Sequence, residues 1–380
     1  MVDDLSSPAG PLPPLTAIPD DVLALADYEK RAKAHLPPAS WAHVQDGSGA
    51  GVTLADNRAV FDRLRLLPHA LADLRQGDTA IHLLGRRHAA PILLAPIAYQ
   101  TLAHPDGELA VARAAAALDT GMALSTLSGV TLEAVAAASR AASDELRKPN
   151  APLWFQLYLQ PERADNLALV RRAEAAGYEA VVLTIDAGLK RSSFTLPPGV
   201  DAANLKGMRR ARHVAQAESG LLFGTPIIDA MPRWDDLAWL RAATKLPVIV
   251  KGMAVGADLD RMIDAGVDGL ILSNHGGRVL DGLPTSLELL PDVRDTIAGR
   301  IPILIDGGVR TGVDIVKALC LGASAVLVGR PQIHALAVAG MPGVAHMLQI
   351  LRVELEAAMA QLGCPDPSSL TGDRLFDRAR

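Results

Sequence analysis

From Pro91 onward the chain alternates between short apolar runs and helix-period segments, and it does so eight times. The apolar runs fall at Ile92–Ala98, Met122–Thr126, Leu153–Tyr158, Ala180–Asp186, Pro247–Lys251, Gly269–Ser273, Ile303–Asp306 and Ala325–Val328. Helical patterns lie between them at Gly107–Ala117, Leu132–Ala138, Asn166–Ala176, Asp235–Thr244, Ala257–Asp264, Leu287–Ile297 and Thr311–Leu321. An apolar run without polar alternation is a strand buried on both faces, the situation of a parallel sheet covered by helices. Eight strand–helix units in succession predict a closed (β/α)8 TIM barrel rather than an open doubly wound sheet. Upstream, Asp21–Leu36, Ala39–Gln45 behind Pro37, and Thr53–Phe61 read as an N-terminal helical extension. The Pro-rich residues 1–20 read as a mobile tail, which leaves 21–380 as a single domain.

Composition narrows the classes. The chain is 49% hydrophobic but only 3% aromatic, so its core has to be built from Ala, Val, Leu and Ile. A formal charge of -5 with so few rings offers neither a basic stripe nor a stacking platform for nucleic acid. Cys320 falls inside a helical pattern and Cys364 stands apart from any ligand cluster, so both read as reduced thiols of a cytoplasmic protein, and no metal is expected. No apolar run is long enough to suggest a membrane span, and the first twenty residues lack the basic start and hydrophobic stretch of a secretion signal.

Barrel enzymes place their chemistry where strands end. Ser273-Asn274-His275-Gly276-Gly277-Arg278 follows the sixth run and sets an imidazole close to a guanidinium. The first can take a proton near neutral pH; the second can grip a carboxylate at two points. Asp306-Gly307-Gly308-Val309-Arg310 and Gly329-Arg330 end the last two runs, where glycine backbone and arginine charge suit a phosphate. Gln156, Tyr158, Thr184, Asp186 and Lys251 are further polar residues at strand ends. The longest connection, Ala187 to Trp234, carries Pro197-Pro198-Gly199 and the basic residues Lys206, Arg209, Arg210 and Arg212. It reads as a mobile flap over the barrel mouth, or as a solvated basic insertion.

These residues resemble the FMN-dependent 2-hydroxy acid oxidases and dehydrogenases, which act on glycolate, lactate and mandelate. The likeness is carried by the His275 and Asp306–Arg310 segments, by Gly329-Arg330-Pro331, and by Ala95-Pro96-Ile97-Ala98, His104-Pro105-Asp106-Gly107-Glu108, Gln156-Leu157-Tyr158, Leu183-Thr184-Ile185-Asp186 and Val250-Lys251-Gly252. It runs from about Tyr28 to Gly363. The resemblance implies FMN across the barrel mouth and a homotetramer. It implies that His275 is the catalytic base, that Asp186 orients it, that Arg278 holds the substrate carboxylate and that Tyr158 bonds the hydroxyl that becomes a carbonyl. Lys251 would stand at the flavin N1 and O2 edge, opposite the charge that reduction creates. Ser125, Gln156, Thr184 and Ser273 would bond the ring or ribityl chain, Pro96, Ile97 and Ala98 would flank the ring, and Asp306, Gly307, Gly308, Arg310, Gly329 and Arg330 would complete the cofactor site.

The chain departs from the family's pattern twice. His43 stands where the family usually carries a Tyr that binds the substrate carboxylate; it is either a replacement partner or a packing residue. The basic stretch after Asp186 is abbreviated, leaving Lys190 and Arg191 as stand-ins for a substrate-binding Arg. With Tyr99 and Leu127, these changes favour an aryl or otherwise bulky acid at least as much as a small one. The expected reaction is oxidation of an L-2-hydroxy acid to the 2-oxo acid, with oxygen as acceptor giving hydrogen peroxide; Ala98 is compatible with that acceptor. Two alternatives are a non-redox phosphate-binding barrel, such as an isomerase or lyase, and an FMN-binding protein without turnover.

Overall fold

The computed structural model describes residues 10–186, 194–208, 223, 228 and 231–376. Three helices precede the barrel: α1 (Leu25–His35), α2 (Pro38–Gln45) and α3 (Val52–Arg63). A short antiparallel hairpin, β1 (Ile81–Leu83) and β2 (Arg86–His88), follows. Eight parallel strands then close on themselves: β3 (Ile92–Leu94), β4 (Gly121–Ser125), β5 (Leu153–Leu157), β6 (Ala180–Thr184), β7 (Val248–Gly252), β8 (Gly269–Leu272), β9 (Ile303–Ile305) and β10 (Ala325–Val328), with β10 pairing back to β3. The covering helices are α4 (Gly107–Ala117), α5 (Leu132–Glu145), α6 (Arg163–Ala176), α7 (Trp234–Ala243), α8 (Ala257–Asp264), α9 (Ser286–Ile297), α10 (Gly312–Cys320) and α11 (Arg330–Leu362).

The uniformly apolar strands serve two cores, separated by the two-residue period of a strand. Outward residues such as Met122, Leu124, Phe155, Leu183, Val250 and Leu272 pack beneath the helices. Inward residues, among them Leu93, Ala123, Trp154, Val182, Ile249, Ile271, Leu304 and Leu327, fill the barrel itself. Trp154, 2% exposed, is the one large ring of this inner core, and the alanines at 123, 180 and 325 make room for it. Leu83 of the hairpin closes the N-terminal end. Two residues beyond the inward apolar positions, the same parity carries Ser125, Gln156, Thr184, Lys251, Ser273 and Asp306. The barrel is therefore greasy below and polar at its C-terminal mouth.

Helix starts are fixed locally. Thr285 and Glu288 form a capping box on α9, and Thr311 and Asp314 do the same on α10. α11 follows β10 directly and bends at Ala339 and Gly340. It has the length and apolar composition of a membrane span, but most of its apolar stretch is buried against α1, α4 and α10. The ladders end earlier than the apolar runs suggest: β3 stops at Leu94 although the run continues to Ala98, because the residues beyond turn outward to line the mouth. The hairpin has no periodic signature, being three residues per strand with Arg86, Arg87 and His82 in it. Of the tail, residues 10–20 are described; Leu12 N donates to Ala34 O and Leu15 N to Val338 O.

Candidate active site

The uppermost inward rung supplies the floor of the site. Lys251, 4% exposed, donates from Nζ to Ser273 Oγ at 2.7 Å and faces Asp306 Oδ2 at 2.8 Å. A buried ammonium survives only with such partners. Asp306 Oδ1 is buried with no partner among the described residues, leaving an acceptor available to a ligand. Gln156 Nε2 donates to Thr184 Oγ1 at 2.9 Å, and Gln156 O accepts from Thr126 Oγ1 at 2.6 Å. Thr126 then accepts from Tyr158 N at 3.0 Å, so one hydroxyl joins the ends of β4 and β5.

His275 lies just past β8 in a left-handed conformation, φ 57°, which turns its ring back over the mouth. Its backbone N–H donates to Ser273 Oγ at 3.0 Å. Gly277 behind it, φ 75°, accommodates α3: a Cβ there would fall 2.7 Å from the Leu54 backbone. The imidazole is gripped at both nitrogens, with Nδ1 3.0 Å from Asp186 Oδ1 and Nε2 3.3 Å from the Tyr158 hydroxyl. Burial pushes the Asp186 carboxyl up, but the hydrogen bond and charge of His275, with help from Lys251, outweigh it and hold the group below the usual range. An ionised Asp186 keeps the proton of the neutral ring on Nδ1 and the lone pair on Nε2. Burial, then Asp186, raises the Tyr158 phenol, which stays protonated.

A cavity of about 550 Å³ opens above this floor, within the range of cofactor sites. One end is cationic. Arg310 and Arg330 stand at the ends of β9 and β10 beside Gly307, Gly308 and Gly329, and α11 begins at Arg330, so its N-terminal amides and dipole favour an anion there. Burial, with Arg278 and Arg310 nearby, pushes the Arg330 guanidinium down to about 10, still cationic at neutral pH. Gly308 also has a packing reason, since a Cβ would lie 1.7 Å from Asn57 O on α3. Along one wall run Pro96, Ile97 and Ala98. The lining also includes the apolar side chains of Leu36, Leu102, Leu127, Leu159, Leu205 and Met231.

Of the residues singled out from sequence, Ser125, Tyr158, Thr184, Lys251, His275, Arg278, Asp306 and His43 line this one cavity with the phosphate-end residues. Gln156, Ser273 and Asp186 stand behind it and act on those in front. The His43 ring stacks on Phe194, centroids 4.2 Å apart at 17°. Arg191 and Lys190 lie outside the described residues, as do Arg209, Arg210, Arg212 and part of the connection read as a flap. Sequence reasoning assigned no role to Thr126, nor to Asn57, whose amide pairs with that of Asn274 at 3.0 and 2.9 Å and ties α3 to the catalytic loop. The Asn274 half was visible in the motif; its partner 217 residues away had no local signal.

Pro96, Ile97 and Ala98, a buried lysine and the glycines with Arg310 and Arg330 together fit a flavin mononucleotide: Lys251 would face the ring, and Arg310, Arg330 and the start of α11 would hold the phosphate. Fold and site thus define a barrel flavoprotein that works on an acid. The family model for FMN-dependent dehydrogenases matches residues 32–377, and the chain belongs to that family of FMN-dependent oxidoreductases. It is 48% identical to an L-lactate oxidase of Alicycliphilus denitrificans over 95% of this chain and 98% of that protein. A 4-hydroxymandelate oxidase of Amycolatopsis orientalis is 42% identical (90% and 95% covered), and human 2-hydroxyacid oxidase 1 is 38% identical (90% and 93%). A structure of mandelate oxidase with benzoyl-formic acid superposes with a TM-score of 0.81 at 39% identity, over 93% of this chain and 98% of that one.

Proposed function

We propose that this protein oxidises an L-2-hydroxy acid with an apolar, including aryl, side chain to the 2-oxo acid, and that oxygen receives the two electrons and two protons as hydrogen peroxide. The observation that carries the reading is the placement of Arg278, the His275–Asp186 pair and the Tyr158 hydroxyl around one cavity that leucines and Met231 also line. The Arg278 guanidinium takes the substrate carboxylate. His275 Nε2 takes the proton that leaves the substrate, and Asp186 stabilises the imidazolium this creates. The Tyr158 hydroxyl donates to the substrate oxygen as it becomes a carbonyl. Bound FMN supplies the two-electron acceptor. Lys251 places positive charge where that acceptor gains electrons, and Asp306 and Ser273 hold the ammonium there. The leucines and Met231 of the lining take the side chain of the acid, and their apolar surface excludes water from the reacting atoms.

The test is an anaerobic titration of the purified yellow protein with a panel of L-2-hydroxy acids, followed by peroxide measurement on admitting air. Bleaching by mandelate-type and long aliphatic acids, and peroxide in equal amount to the 2-oxo acid, is the expected result. Bleaching by none of them, or 2-oxo acid formed in air without peroxide, would overturn the substrate class or the acceptor respectively.

A further inference from the structure

Two arginines with different jobs are anchored on one helix end. Arg278 Nη1 donates to the carbonyls of His43 at 2.9 Å, Val44 at 3.4 Å and Asp46 at 3.0 Å. Arg330 donates from Nε to Val44 O at 3.0 Å and from Nη2 to Asp46 O at 3.0 Å, and its Nη1 reaches Gly276 O at 3.1 Å. The His43, Val44 and Asp46 carbonyls belong to the last turn and cap of α2, where a helix leaves carbonyls without intrahelical donors and carries the negative end of its dipole. The arginines come from different segments, the loop after β8 and the start of α11. Burial disfavours both cations, and Arg278 further disfavours the charge on Arg330. The α2 carbonyls, together with the Asp46 charge near Arg278 and the Glu29 and Asp306 charges near Arg330, offset that cost, so each guanidinium keeps its charge for a ligand.

We infer that the C-terminal turn of α2 is a shared positioning platform that couples FMN phosphate binding, through Arg330, to substrate carboxylate binding, through Arg278. The inference rests on the roles proposed above for those two arginines. An anion that fixes one arginine also fixes the carbonyls that orient the other, so each ligand reduces the ordering that the second must impose. Among the described residues only Nη1 of Arg278 is used in these contacts, and the rest of its fork faces the cavity where the acid would bind. Phe194, stacked on His43, joins the long connection after β6 to the same turn.

The carbonyls themselves are tested by loosening the helix that presents them. Ala42 is an exposed residue in the last turn of α2, clear of the cavity. Ala42→Gly frays this turn without removing a contact atom; Ala137→Gly at an exposed position of α5 is the matched control. Two constants are read for each variant. One is the Kd of FMN, from quenching of its fluorescence by apoprotein. The other is the Kd of 2-hydroxy-2-methylpropanoate on the holoenzyme, an acid without the α-hydrogen needed for oxidation. Ala42→Gly is expected to weaken both by roughly three- to tenfold, and Ala137→Gly to weaken neither while lowering Tm to a similar extent. An Ala42→Gly protein in which either constant stays at the native value overturns the platform, and so does a control that weakens both. Arg278→Lys separates this from the underlying reading: native acid affinity in that variant sinks the carboxylate assignment, whereas weakened affinity there with native affinity in Ala42→Gly sinks the platform alone.

Discussion

The two ends of the barrel interior share one inward-facing parity and have opposite chemistry. At the N-terminal end Trp154, Leu93, Ile249, Ile271 and Leu304 meet the hairpin's Leu83 in a sealed apolar core. At the C-terminal end the next inward residues are Ser125, Gln156, Thr184, Lys251, Ser273 and Asp306, joined by hydrogen bonds and one buried ion pair. One end is held by area removed from water and the other by matched polar partners. Stability is thus concentrated below and reactivity above, and substitutions at equivalent depths should fail in different ways.

The largest effect belongs to the upper end. His275→Asn keeps the bulk and the backbone turn but removes the proton acceptor, so reduction of the bound flavin should slow by roughly 10³- to 10⁴-fold in stopped-flow measurements while FMN binding and Tm stay near native. A variant reduced at the native rate would remove His275 from the mechanism. The matching change below is Trp154→Ala, which empties the largest volume of the inner core. It should cost about 3–5 kcal/mol of unfolding free energy in urea titrations, with turnover per folded molecule little altered. If it instead slowed reduction without destabilising the fold, the division between the two ends would be wrong.

Lys251→Met sharpens the contrast because it should do both. Removing the ammonium leaves Asp306 charged and buried, at a cost of about 3 kcal/mol, and makes bound FMN harder to reduce. Adding Asp306→Asn should restore most of the stability but not the reduction potential. Recovery of both together would mean that Lys251 acts only through packing.

A pH dependence of stability is centred on the lower end. His88, 1% exposed beside Trp154, is pushed down to about 4 by burial and then by Arg86, and its ring nitrogens have no hydrogen-bond partner among the described residues. Its folded state holds it neutral, so between its ordinary value of 6.5 and about 4 the unfolded chain binds more protons and stability falls as pH is lowered. His334, also driven to about 4 by burial, adds to the same window. Asp186 behaves differently: its carboxyl is held below 3.8, so its contribution is intact above that value and is lost only in stronger acid. Urea midpoints should therefore drop between pH 6.5 and 4, and His88→Leu should flatten part of that slope. An unchanged slope would show that the ring is not the group being protonated.

The alternation from Pro91 was enough to predict eight strands and their closure, because a strand covered on both faces must be apolar at every position whatever the rest of the chain does. Helix limits came close for the same local reason: α4 and α8 run over the residues their periodicity marks. The hairpin that plugs the barrel was not legible, since three-residue strands with charged residues carry no period and are stabilised by what they cover. At the site, residue types at strand ends identified Lys251, His275, Asp186, Tyr158 and Arg278, because chemistry restricts which side chains can carry a proton or a fixed charge. What those types could not convey was partnership. That Lys251 takes Asp306 as counter-ion, that Asn57 clasps Asn274, and that Arg278 and Arg330 share the end of α2 are contacts between segments as much as 286 residues apart. Such contacts leave no local pattern, because they depend on the register in which the barrel closes and on where the N-terminal helices come to rest against its mouth.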